Sequence, residues 1–128
     1  MTVFLMKDMK GKKIMEKTDN TDGTCLQGYI KASYEQLLKT FGKPHFNGDD
    51  LKTDVEWAFE FADGTIATLY NWKNGKNYCG DKGLALNDIY EWNVGGKNEK
   101  AVSKLLEKLR LKIANDIVDD AIDKSIIL

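Results

Sequence analysis

Three features of the chain predict an α+β fold, with an antiparallel sheet of three to four strands and helices packed on one face. Asp63-Gly64 lies between two runs rich in aromatic and β-branched residues, the strongest short-range signal for a β-hairpin. Tyr34, Leu37, Leu38 and Phe41 recur at helical spacing, and so do Ala101, Val102, Leu105, Leu106, Leu109 and Ile113. The order of elements is strand, helix, hairpin, strand, helix, and 128 residues suit one domain with its own core.

Residues 1–22 lack a sustained period and end in a polar run of turn formers, Lys17 to Gly23. They read as a flexible extension with one short strand at Thr2–Met6, ahead of a single domain at 23–114. Leu26 to Ile30 is a short strand, in which Gly28 marks a bulge or the close approach of another backbone. Ser33 caps the first helix, with Gln36 completing a capping box; Gly42 ends it and Pro44 blocks its continuation. His45 to Thr53 is the loop into the hairpin.

The hairpin spans Asp54 to Lys73. A two-residue type I′ turn at Asp63-Gly64 sets Ala62 opposite Thr65 and pairs Phe61/Ile66, Phe59/Thr68, Trp57/Tyr70 and Val55/Trp72 on one face. Each of these large side chains, once buried, contributes roughly 1.5–3 kcal/mol. Glu60/Ala67, Ala58/Leu69 and Glu56/Asn71 take the other face. Asn74 to Leu86 follows as a long segment without regular period. Ile89 to Val94 is the next strand, and Asn98 caps the long packing helix. From Asn115 the helical spacing continues through Ile117, Val118, Ala121 and Ile122, after a break or in one longer helix, giving a helical C-terminal extension at 115–128. The apolar end Ile126 to Leu128 suggests docking on the protein's own core or on a second copy.

Nineteen basic and 20 acidic residues give a net charge of −1, so overall charge does not point to nucleic acid, although a local basic patch is compatible with it. Cys25 and Cys79 have no CxxC pairing and read as free thiols of a reducing cytoplasm; a single bridge between them is the alternative. One histidine leaves little room for zinc or haem, and no cofactor is expected. The N-terminus does not order its charges and apolar residues as a signal peptide does, and no apolar run has the length of a membrane span, so no membrane association is expected.

Lys73, Lys76, Tyr78 and Lys82, set among Gly75, Gly80 and Gly83, are the candidate ligand or partner contacts. Lysines attract phosphate and glycines let backbone N–H groups approach it, but the order matches neither GxxxxGK[ST] nor GxGxxG, and a solvated loop is the simpler reading. Trp72, Tyr70 and Trp92 have the chemistry of a stacking platform for single-stranded bases. The two-residue register assigns Tyr70 and Trp72 to the core instead. Asp49, Asp50, Asp54, Glu56 and Glu60 read as a solvated face rather than a metal site or an acid/base pair. His45 reads as an exposed polar residue that only tertiary proximity would bring to Cys79. No residue is assigned a catalytic role, and the protein is not expected to be an enzyme.

The pattern LQGYIKASYEQLLKTFGKP, then EWAFEFADGTIATLYNWK, then EWNVGG before a helix resembles a family of small uncharacterised proteins associated with bacteriophage and other viral genomes. The likeness covers Thr24 to Leu109 and falls mostly on cap, turn and core positions. It implies a virus-encoded accessory protein in the host cytoplasm. The function expected from these readings is that of a small non-enzymatic binding protein. It acts by contact with a host protein, or with itself as a homodimer through the C-terminal helix. The alternative is a nucleic-acid or nucleotide binder using the Lys/Gly-rich loop 73–83.

Overall fold

Large apolar residues alternate with glutamate and alanine along Val55–Phe61, and this segment forms an inner strand of an antiparallel sheet. The computed structural model describes residues 5–7, 13–47 and 51–126; Thr2 to Phe4, Asp49, Asp50, Ile127 and Leu128 lie outside the described residues. In chain order the elements are β1 (Leu5–Lys7), β2 (Lys13–Lys17), β3 (Cys25–Lys31), α1 (Tyr34–Phe41), β4 (Phe46–Asn47), β5 (Val55–Phe61), β6 (Ile66–Tyr70), the single turn α2 (Lys76–Cys79), β7 (Glu91–Gly96) and α3 (Lys100–Ile126). The sheet runs β1-β2-β5-β6-β7-β3, and the two-residue β4 pairs with β5 off that path.

The α+β class and antiparallel sheet agree with expectation, but among the described residues the sheet has seven strands rather than three or four. The difference lies largely at its start. Lys13–Lys17 pairs with β5 and its Met15 is fully buried, so this part of the expected N-terminal extension belongs to the sheet. Among the described side chains of this strand Met15 is buried and Glu16 and Lys17 are half-buried, which leaves too little alternation to read as a strand.

The hairpin also closes differently. Phe61 N–H donates to the Thr65 carbonyl at 2.8 Å, Gly64 N–H donates to the Phe61 carbonyl at 2.9 Å, and Gly64 has a φ of 88°. The loop is therefore the three residues Ala62-Asp63-Gly64, with glycine at the left-handed position. Trp57 pairs with Leu69, Phe59 with Ala67, Ala58 with Thr68 and Glu56 with Tyr70, one residue away from the expected register. A one-residue slip exchanges the faces of a whole strand. Ala67 and Leu69 thus join the aromatic face, and Tyr70 moves to the opposite one. Asp63 holds this turn: its carboxylate accepts from Thr65 N–H at 3.0 Å and pairs with Lys104 of α3 at 2.8 Å. Those partners keep its carboxyl well below the usual carboxylate range.

The aromatic face carries the core. Trp57, Phe59, Leu69, Trp92, Val94 and Ile30 pack with Leu37 and Phe41 of α1 and with Ala101, Leu105 and Leu109 of α3. Trp57 donates its indole N–H to the Gly42 carbonyl and Trp92 to that of Ala32, each at 3.0 Å. The expected capping box is present, with Gln36 N–H on the Ser33 hydroxyl and Ser33 N–H on the Gln36 side chain. Gly28 takes the first of its two expected roles, since the β3–β7 register shifts beside it; what approaches it closely is a side chain rather than a backbone, a Val102 methyl 3.1 Å from where a Cβ would stand. Asn98 accepts from Lys100 N–H at 2.9 Å, and α3 then runs unbroken past Asn115. Among the described residues no helix is long and apolar enough to cross a membrane.

Candidate functional site

Asn71 organises the segment that follows β6. It is fully buried, and its Oδ1 accepts from the Asp54 and Val55 N–H groups at 2.8 and 3.2 Å. Its Nδ2 donates to Asp54 Oδ1 at 2.9 Å and to Asn74 Oδ1 at 3.1 Å. Asp54 Oδ2 in turn accepts from Asn77 N–H at the start of α2. A Cβ on Gly75 would fall on the Asp54 carboxylate, and one on Gly83 would fall on the Gly75 carbonyl. These two glycines serve close packing inside a folded loop, which accounts for them without a phosphate.

Of the residues singled out in this loop, the structure brings two together: the Lys73 ammonium lies 5.6 Å from the centre of the Tyr78 ring. It also lies 5.8 Å from that of Trp72, and Lys52 approaches the same indole at 5.5 Å. Lys76 and Lys82 are exposed on α2 and on the turn after it. Lys73 itself sits at a φ of 57°, uncommon for a side chain of this kind.

Trp72, expected in the core, is 41% exposed, and it meets Tyr70 edge-on at 6.1 Å. Among the described residues its indole N–H has no hydrogen bond, unlike those of Trp57 and Trp92. Both rings border a hollow of about 180 Å³ on the sheet face opposite the helices, lined also by Thr24, Thr53, Glu56 and Thr68. Gly95 forms part of its wall, because a Cβ there would collide with the Thr68 hydroxyl. Burial pushes the Tyr70 phenol up from its usual pKa, with Glu56 and Tyr29 adding to the shift. Tyr70 pairs with Asn93 and Asn93 with Tyr29, so one lateral row crosses β6, β7 and β3 on this face.

His45 is not an exposed polar residue. Its ring meets Phe59 edge-on at 4.9 Å, and Nδ1 lies 3.1 Å from both the amide nitrogen and the carbonyl oxygen of Ala58. Burial is the main reason its pKa is lowered to about 4, reinforced by Lys17 and opposed by the Ala58 carbonyl and Asp19. Cys79 donates its thiol to the Lys73 carbonyl at 3.4 Å, so the ring and the thiol serve different partners. Both cysteines are free and exposed. A lowered folded-state pKa stabilises the fold above the unfolded value of about 6.5, and this contribution is lost as pH falls toward about 4. A proton NMR titration of the sole histidine should therefore show a midpoint near 4; a midpoint near 6.5 would place the ring in water.

Glu56 and Glu60 share the open face with Ala58, as the strand alternation implies, and among the described residues no group of three or more potential metal-ligating side chains occurs. Comparison with known proteins finds no matching family model and no matching curated protein.

Proposed function

We propose that this is a non-enzymatic binding protein that acts by protein–protein contact, beginning with its own second copy, through the distal half of α3. The observation carrying this reading is where burial stops. The fully or nearly fully buried stripe Ala101, Leu105, Leu109 ends while the helix continues to Ile126, and Leu111, Ile117 and Val118 are 54, 65 and 55% exposed. Leu111 and Val118 stand two turns apart, the spacing of one contact line on a helix.

Charge favours a second copy as the occupant. The first part of α3 carries Lys100, Lys104, Lys108, Arg110 and Lys112 against Glu107, and the last part Asp116, Asp119, Asp120 and Asp123 against Lys124; within one copy Lys104 pairs with Asp63 and Lys112 with Asp116. This order opposes what the helix dipole favours, since acidic residues stabilise the start of a helix and basic ones its end. Antiparallel pairing sets each basic half against an acidic half and covers both apolar lines. A host protein with the complementary helix is the alternative partner, in the infected cell that the sequence resemblance implies.

Light scattering of the intact protein across a concentration series should show a dimer that Ile117→Lys with Val118→Lys converts to monomer. Both side chains are solvent-facing in one copy, so the substitutions should leave the thermal unfolding of the monomer unchanged. A wild-type protein that stays monomeric throughout would refute self-association.

A further inference from the structure

On a surface separate from the helix face just described, we infer that the hollow beside Trp72 binds a nucleotide, as one link of a single-stranded nucleic acid. Three observations combine. Trp72 presents an indole that is partly exposed and whose N–H has no hydrogen bond to a described residue, whereas Trp57 and Trp92 are fully buried with theirs engaged. Threonines 24, 53 and 68 and Glu56 supply hydroxyl groups and a carboxylate within the same hollow. Lys52 and Lys73 both place ammonium groups within 6 Å of the Trp72 ring centre.

The two ammonium groups decide the sign of the ligand. The charged lining of the hollow is the Glu56 carboxylate, and both ammonium groups stand outside that lining beside the exposed indole, where they repel an organic cation and attract an anion. A ligand that joins a flat π-face to a negative charge fits both features. The base stacks on Trp72 against Tyr70, its N–H edge faces the Glu56 carboxylate, and the phosphate draws Lys52 and Lys73 off the indole. The about 180 Å³ of the hollow suits one base rather than a folded peptide.

The platform extends beyond the hollow, which points to a strand rather than a free nucleotide. Tyr29 lies in the same lateral row as Tyr70, two strands away at about 10 Å, and is 53% exposed. Lys31 shares its face, although Glu91 sits opposite, so Lys52 and Lys73 carry most of the attraction.

The test is fluorescence anisotropy of a labelled oligothymidine strand with the full chain, competed by thymidine monophosphate and repeated over a salt series. Wild-type protein should bind the strand, more weakly as salt rises. Trp72→Ala should weaken binding roughly 10- to 100-fold while Trp72→Phe retains most of it. Lys52→Gln with Lys73→Gln should flatten the salt dependence. Equal potency of strand and monophosphate per nucleotide would support the nucleotide site and overturn its extension along a strand. No binding of either, or unchanged affinity in a Trp72→Ala protein whose urea unfolding matches wild type, would overturn the site.

Discussion

Trp92→Ala should destabilise the protein by about 3–5 kcal/mol, the usual cost of emptying a buried tryptophan site. Trp92 has no solvent exposure and packs against Trp57 and Tyr34, with ring centres 6.0 Å from each. It also donates the N–H that meets the Ala32 carbonyl, between β3 and α1. Truncation opens a cavity at the junction of sheet and helix and leaves that carbonyl without its donor. Against a typical domain stability of about 5–15 kcal/mol, this is enough to populate unfolded chains. Urea unfolding followed by far-UV circular dichroism measures it. Trp72→Ala, on the open face, should cost less than about 1 kcal/mol. Equal losses from the two substitutions would contradict the assignment of Trp72 to the solvent side.

The parts of this fold legible in the sequence are those decided by neighbours in the chain. Ser33 and Gln36 find each other within one turn, and the stripe from Ala101 to Leu109 depends on spacing alone. The hairpin register is different. Asp-Gly suits a two-residue loop and also the end of a three-residue one, and Ile66-Ala67-Thr68-Leu69-Tyr70 carries apolar residues at both parities. The choice rests on distant groups: Leu69 goes inside opposite Trp57, and Asp63 reaches Lys104 on α3. The two-residue register puts Tyr70 and Trp72 in the core and so hides the hollow that they border. Leu69 was the available signal, because the two-residue register would have left a leucine on the face shared by Glu56 and Glu60. The loop stands out in the sequence as a run without period and reads most simply as solvated, but its packing is not legible there, because Gly75 meets Asp54 from across the sheet and Gly83 meets Gly75.

Asn71→Ala should be the most damaging single change outside the apolar core, at about 2–5 kcal/mol, because it leaves two backbone N–H groups with no acceptor in a buried place. Asp54 and Val55 at the start of β5 lose Oδ1, and the Asp54 carboxylate loses one of the donors that hold it over Gly75. Urea unfolding gives the loss, and faster amide exchange from Lys73 to Leu84 should accompany it, since Asn71 ties this segment to the sheet. Asn71→Asp separates shape from charge. It keeps an oxygen for the two N–H groups but sets a second carboxylate against Asp54, so it should be unstable near neutral pH and regain stability on acidification, as one of the pair takes up a proton. Two variants of equal stability at every pH would mean that the amide is not the tie. Because Asn71 lies next to Trp72 in the chain, loss of this tie should also loosen the indole between Lys52 and Lys73. A strand that binds wild type should therefore bind Asn71→Ala more weakly even at temperatures where the variant remains folded.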